Sequence, residues 1–320
     1  MIDSIASIIK HSLQKAPCKI EARYHEPMAD HSTFKAGGTA DCWMRPDGEG
    51  VPTFAQALLA EARSAKIPVF FLGGGANILV SDRGIRGIVF DMGGWAGTTG
   101  AYAGNEVVTF RAGTSLDRAA ETAADAGLSG LEFLAGMPGT IGGAVWMNAR
   151  CYGRQISDVL LETAIIKFSG SAQEVLTCPA DQTEFGYKQS PFQKMDSLIL
   201  SAAFKLTPGN KERIFTEMES YRQDRESKGH YRFPSAGSVF KNNPAFGKPA
   251  GKIIDELGLR GKQIGGAQVA PWHGNIIINT GTASAADIRA LVNEVAAAVK
   301  AAAGFDLEPE ILFIGHWPSC

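Results

Sequence analysis

The chain has 320 residues, 45% hydrophobic and 20% charged, with a formal net charge of −2. That is an ordinary globular composition, long enough for two or three domains, and with no run of lysines or arginines it argues against nucleic acid as the main partner. Five scattered cysteines, Cys18, Cys42, Cys151, Cys178 and Cys320, form no CxxC pair and no His/Cys cluster at zinc-ligand spacing, so no metal is expected and a reducing cytoplasm is the simplest setting.

In chain order, residues 1–15 place Ile2, Ile5, Ile8, Ile9 and Leu13 on one face of a short helix. No small-residue cleavage site follows, so the helix is expected to pack on the body and not to act as a signal peptide. Residues 30–46 read as extended around a Gly37-Gly38 turn. Residues 51–66 are predicted helical, with Phe54, Leu58 and Ala62 on one face. A strand over 67–72 runs into glycines and a short apolar run. After a turn at Asp82-Arg83-Gly84 comes a strand over 87–92. The strand over 107–115 ends at an N-cap, Ser115, and the helix over 116–126 stops at Gly127. Further strands at 164–168 and 198–206 make this an α+β chain and not a regular βαβ repeat.

A boundary is expected at Thr207-Pro208-Gly209-Asn210. The polar helix over 211–228 carries a stripe of Ile214, Phe215, Met218 and Tyr221. A smaller α/β unit follows, with a helix over 250–257, a strand over 275–279 and an alanine-rich helix over 285–303 capped by Ser284. Asp287, Arg289, Asn293, Glu294 and Lys300 keep that last helix out of a bilayer. The tail, residues 307–317, reads as a final strand.

The segment FLGGGANILVSDRG, residues 71–84, joins an apolar strand to three consecutive glycines. Ordering three glycines is costly, and such a run commonly lets backbone N–H groups approach a phosphate. It is no P-loop, because Ala76-Asn77-Ile78 stands where Gly-Lys-Ser/Thr is needed, and no GxGxxG fingerprint occurs in either glycine loop. A second loop, GMPGTIGGAVWMNARCYG at 136–153, and Arg111-Ala112-Gly113-Thr114 after a strand complete the pattern. Each alone could be a tight turn. Together they suggest a dinucleotide held along its length.

Three other segments carry possible chemistry. PSAGSVFKN, residues 234–242, surrounds Ser238 with small residues that would leave its hydroxyl open to a ligand. A serine bonding its own backbone is the plain alternative. With no Gly-x-Ser-x-Gly elbow, no hydrolase nucleophile is suggested. In the tail, alternation places Glu310, Leu312 and Ile314 on one face, with Ile311 and Phe313 on the other. A carboxylate on that face is expensive to bury unpaired, and a strand-end glutamate reaching solvent is the alternative. Residues 186–190 offer Tyr187 and Lys188 together, or simply a solvated loop. The six histidines are scattered and none is assigned to catalysis.

Taken in order, TFKAGGTA, FLGGGANILVSDRGIRGIV, RAGTSL, GLSGLEFLAGMPGTIGGAVWMNARCYG, FGYKQSPF, RESKG, PSAGSVFKN, GLRGKQIGGAQV and EPEILFIG make the chain resemble one family over residues 31–315. It is the UDP-N-acetylenolpyruvoylglucosamine reductases, flavoenzymes of bacterial peptidoglycan precursor synthesis. The resemblance implies a vanillyl-alcohol-oxidase-type FAD-binding region of two subdomains plus a smaller α/β substrate-binding domain. The corresponding division is an N-terminal helix and lead-in at 1–30, the FAD-binding region at 31–208, the substrate-binding domain at 209–305 and a returning C-terminal strand at 306–320. Non-covalent FAD would be held by Gly73, Gly74, Gly75, Asn77, Gly113, Thr114, Pro138, Gly139, Thr140, Gly142, Gly143 and Arg225.

The resemblance further implies NADPH as reductant and UDP-N-acetylglucosamine enolpyruvate as substrate, contacted by Tyr187, Lys228 and Asn242. Ser238 matches the family's proton donor, and Glu310 the glutamate that steadies or protonates the enol form of the substrate carboxyl. Lys188 stands where the family commonly has an arginine that neutralises the substrate carboxylate; it keeps the charge and loses the planar two-pronged contact. The segment 207–221 lacks a long tyrosine-bearing loop, so the chain resembles the family's shorter class. A cytoplasmic monomer with no membrane partner is expected. Two rival readings stay open: an alcohol or sugar oxidase on the same flavin scaffold, and a nucleotide-binding descendant without turnover.

Overall fold

The structure is a computed structural model that describes residues 2–99, 105–168 and 174–318. Cys320 lies outside the described residues, and Cys18, Cys42, Cys151 and Cys178 form no disulfide among the described residues. The chain divides into two compact units, each assembled from separated stretches: Met1–Tyr24, Cys42–Gly74 and Gly87–Gln223 form the first, and His25–Asp41, Gly75–Arg86 and Asp224–Cys320 the second. The triple glycine is therefore cut by the division, with Gly73 and Gly74 in one unit and Gly75 in the other.

In the first unit the N-terminal helix Ile2–Lys15 buries Ile5, Ile8 and Ile9 and packs on the helix Val51–Ser64, whose Phe54, Leu58 and Ala62 point inward as their spacing predicts. A five-stranded antiparallel sheet has the order Val175–Pro179, Leu160–Lys167, Ser197–Lys205, Val107–Arg111, Thr98–Thr99. The central strand Ser197–Lys205 is nearly continuous in apolar residues, because the helix Ile141–Met147 covers it. Ser115 caps the helix Leu116–Asp125 by accepting from the Arg118 N–H, and Gly127 leaves it with φ +70°. Val69–Leu72 pairs in parallel with Ile88, Val89, Phe90 and Asp91.

The second unit is built on a three-stranded antiparallel sheet, Gln263–Ile264, Ala267–Val269 and Ile277–Asn279. The helix Ala285–Ala303 lies on it and buries Ile288, Leu291, Val292, Val295 and Val299. Ser284 and Asp287 form a capping box at its start, and Asp82 adds both carboxylate oxygens to the Ala285 and Ala286 N–H groups at 2.8 Å each. Leu312–Ile314 pairs in parallel with Ile78–Val80. No helix among the described residues is long and apolar enough to cross a membrane.

Three readings change. The second glycine loop is a loop only to Thr140, whose hydroxyl then caps the seven-residue helix Ile141–Met147. The expected tail strand shrinks to Leu312–Ile314, with a bend at Ile311. Glu310 and Ile311 are both buried, at 8% and 2% exposure, so Glu310 is not a strand-end glutamate reaching solvent.

Candidate active site

In the first unit the two glycine loops meet backbone to backbone. A Cβ on Gly73 would lie 2.6 Å from Thr140 Oγ1, and one on Gly74 would lie 2.7 Å from the Gly139 Cα. Gly139 holds φ +134°, and a Cβ on Gly142 would sit 2.9 Å from that of Ala112. These glycines are required first by the protein packing against itself. The exception is Gly143, where a Cβ would find only Thr140 Oγ1, at 3.6 Å. What the packing leaves is a set of donors: the N–H groups of Gly73, Gly74, Gly139 and Thr140 reach no acceptor among the described residues. Unspent backbone donors on two abutting loops are what a pyrophosphate needs, so these residues fit a dinucleotide. Pro138, exposed beside them, has no N–H to offer.

Gly113 and Thr114 serve differently. Their N–H groups go to the Trp95 and Arg111 carbonyls at 2.9 and 3.0 Å, and the Thr114 hydroxyl exchanges hydrogen bonds with Gly97 N and O. With its polar groups spent and 3% exposure, Thr114 can shape a site but has no donor to give. Both residues line a cleft of about 650 Å³ with Gly97, Thr98, Ser115 and Arg118. Arg118 is exposed, and its guanidinium makes no ion pair among the described residues. Sequence reasoning missed Arg118, although its place in the first turn after Gly113-Thr114-Ser115 was a usable signal.

Also in the first unit, Tyr187 and Lys188 occupy the tip of a tight turn closed by mutual 3.1 Å hydrogen bonds between Gly186 and Gln189. Lys188 has φ +57°, an uncommon conformation for a residue with a side chain. The turn is held from beneath: Asn148 Nδ2 donates to the Gly186 carbonyl at 2.9 Å, and Gln193 Nε2 donates to the Lys188 carbonyl at 3.1 Å.

In the second unit Ser238 follows Gly237, which has φ +71°, and forms a bridge with Ile276. The segment is fixed on both sides. Asn275, almost fully buried, exchanges hydrogen bonds with Phe240 N and O at 2.9 and 2.8 Å, and the Glu310 N–H donates to the Val239 carbonyl at 2.7 Å. Asn77 Nδ2 donates to the Glu310 carbonyl at 3.0 Å, and Gly75 holds φ +61° against the His31 carbonyl. Ser238, Glu310, Asn77 and Gly75 thus belong to one connected corner of this unit. The Ser238 side chain is half-buried, and its hydroxyl has no hydrogen-bond partner among the described residues. Asn275 is the residue that sequence reasoning missed here; an asparagine immediately before the apolar run Ile276-Ile277-Ile278 was its signal.

Arg225 sits at the end of the helix Lys211–Ser227, 9% exposed, with Nε donating to the Tyr231 hydroxyl at 3.2 Å. Burial, and then the Arg225 charge, push His230 down to about 4; burial also lowers His273, whose ring centroid lies 6.4 Å away. Lys228 is exposed and pairs with Asp224 at 2.7 Å, while Asn242 accepts the Ala250 N–H at 2.9 Å. The helix follows the strand Thr207–Pro208 after two residues, with no long loop between.

Comparison with known proteins decides the family. The family model for the C-terminal domain of UDP-N-acetylenolpyruvoylglucosamine reductase matches residues 229–314, and the FAD binding domain model matches residues 54–175. The chain is 43% identical to the UDP-N-acetylenolpyruvoylglucosamine reductase of Treponema denticola over 92% of this chain and 94% of that protein. The chain belongs to the UDP-N-acetylenolpyruvoylglucosamine reductase family. The reductase of Treponema pallidum is 41% identical over 92% of this chain and 94% of its own length. The crystal structure of the family's enzyme from Thermus caldophilus, 30% identical, aligns with a TM-score of 0.71 over 94% of this chain and all of that one. Within this reductase family the FAD binding match spans both glycine loops, and the C-terminal match spans Ser238, Asn242 and Glu310. Tyr187, Lys188, Arg225 and Lys228 fall between the two matched stretches.

Proposed function

We propose that the chain reduces UDP-N-acetylglucosamine enolpyruvate to UDP-N-acetylmuramate with NADPH as reductant and non-covalent FAD as carrier. Bound FAD would supply the hydride-transfer chemistry between NADPH and the enolpyruvyl double bond. The chain's own residues do the rest. The unspent N–H groups of Gly73, Gly74, Gly139 and Thr140 would bind the cofactor's pyrophosphate, Gly143 leaves room beside them, and Gly113, Thr114, Pro138 and Gly142 hold the cradle's shape; Gly75 and Asn77 are further cofactor-binding residues of this reading. Arg225 adds a cation for the cofactor.

Ser238 donates its hydroxyl proton to the carbon next to the one that receives hydride. A serine hydroxyl is a weak acid, but the carbon is strongly basic and position matters more than pKa. Glu310 hydrogen-bonds the substrate carboxyl as negative charge builds on it, and Lys188 offsets that charge. Tyr187, Lys228 and Asn242 hold the sugar nucleotide. The substrate-binding domain of this reading is residues 209–305.

One observation carries the reading. On neighbouring segments of the second unit, a hydroxyl with no hydrogen-bond partner among the described residues stands next in chain to Val239, whose carbonyl receives the N–H of a buried glutamate. The test is NADPH consumption that requires the UDP-enolpyruvyl sugar, with a product gaining two hydrogens. Consumption driven by oxygen alone would overturn it.

A further inference from the structure

We infer that Arg150 is a second cation for the substrate, presenting a guanidinium beside Lys188 to an oxyanion of the sugar nucleotide, either its carboxylate or its diphosphate. The inference rests on the reading that the Tyr187-Lys188 turn meets that substrate.

Arg150 opens a small hairpin in which Arg150 pairs with Gln155 and Cys151 with Arg154. Alternation sends Arg150 and Arg154 to opposite faces. The Arg154 guanidinium goes to the ring of Phe133, at 6.0 Å, while that of Arg150 lies 5.8 Å over the ring of Tyr187. Tyr187 and Lys188 are consecutive at the tip of their turn, so the ring that seats the guanidinium is the immediate neighbour of the lysine.

The hairpin root and the turn share one base. Asn148, fully buried with φ +45°, donates from Nδ2 to Gly186 and accepts the Ser157 N–H at 3.1 Å. The Trp146 carbonyl receives Ser190 Oγ at 2.6 Å and Gln193 Nε2 at 3.1 Å. Arg150 and Lys188 are thereby mounted on a common, cross-tied support.

Arg150 is exposed, and its guanidinium makes no hydrogen bond or ion pair among the described residues. Several other exposed cations of this unit have acids, among them Lys15 with Glu61, Lys205 with Glu106 and Lys211 with Asp125. A guanidinium seated on an aromatic face keeps its edge donors directed outward, where they match a carboxylate or phosphate with two parallel bonds. Lys188, a point charge, cannot form that fork. Arg150 supplies it from the neighbouring hairpin.

The test is equilibrium titration of the FAD-loaded protein with the UDP-enolpyruvyl sugar and, separately, with UDP, read by flavin absorbance. Arg150→Ala should weaken the sugar nucleotide about tenfold, an effect of about 1.4 kcal/mol, with flavin content and Tm unchanged. Arg150→Lys should recover only part of the loss, and adding Lys188→Arg to Arg150→Ala should recover most of it. Equal weakening toward UDP assigns the diphosphate as the oxyanion, and weakening confined to the enolpyruvyl sugar assigns the carboxylate. Unchanged affinity of Arg150→Ala for both ligands would overturn the inference. A wild-type protein that fails to bind the enolpyruvyl sugar at all would overturn the functional reading, and this inference with it.

Discussion

The glycine loops of the first unit and the Ser238 corner of the other unit are alike as sequence, small residues crowded around a turn, yet their physical content differs. At Gly73, Gly74 and Gly142 a methyl group would strike the protein itself. At Gly237, beside Ser238, an added Cβ meets nothing within 4 Å, and φ +71° alone demands the glycine. One region spends its glycines on packing and keeps a few N–H groups for a ligand. The other uses Asn275 and the Glu310 backbone to hold a segment still, and keeps a hydroxyl. Damage to the first should therefore show in folding and cofactor retention, and damage to the second in chemistry alone.

The largest effect is expected from Ser238→Ala. Flavin content and its reduction by NADPH should stay near wild type, while reoxidation by the enolpyruvyl sugar slows by roughly 10³-fold, within the range for a positioned proton donor. Equal damage to both half-reactions would make Ser238 a shaping residue and blur the contrast. Glu310→Gln should come next, lowering kcat by about 10²-fold with substrate affinity largely kept, as expected for a group whose hydrogen bond strengthens as charge develops. A change in KM alone would count against that role.

Gly74→Ala tests the other side. Its Cβ would stand 2.7 Å from the Gly139 Cα, so overpacking should cost about 1–3 kcal/mol. Melting and flavin retention should both suffer, and a normally stable variant with full flavin would contradict the packing account. The smallest effect concerns His230 and His273, both held below the ordinary histidine pKa mainly by burial. The unfolded chain takes up these protons first, so stability is full above pH 6.5 and is lost as pH falls toward about 4. Tm measured from pH 7 to pH 5 should fall less steeply in His230→Gln than in wild type.

Much of this was legible in the sequence because periodicity and caps report local physics. The helix faces at Ile5, Ile8 and Ile9 and at Phe54, Leu58 and Ala62, the Ser115 and Ser284 caps and the strand ending at Leu72 follow from side-chain spacing alone. Lys19–Pro27 was missed as a strand although Ile20, Ala22 and Tyr24 alternate with polar residues along it; the alternation marks no buried face, since only Glu26 is buried. The helix Ile141–Met147 hid behind Gly142 and Gly143, poor helix formers; Gly142 fits because the helix packs closely on Ala112 there. Alternation could not foresee the bend at Ile311 that shortens the tail strand to Leu312–Ile314. The Asn275 clamp and the Arg150–Tyr187 contact join residues 35 and 37 positions apart, which no local pattern reports.

The most direct measurement is anaerobic stopped-flow absorbance of the purified protein, mixed first with NADPH and then with the UDP-enolpyruvyl sugar. The account predicts flavin bleaching by NADPH and full recovery of absorbance on adding the sugar nucleotide without oxygen. Bleaching that only oxygen reverses would contradict it.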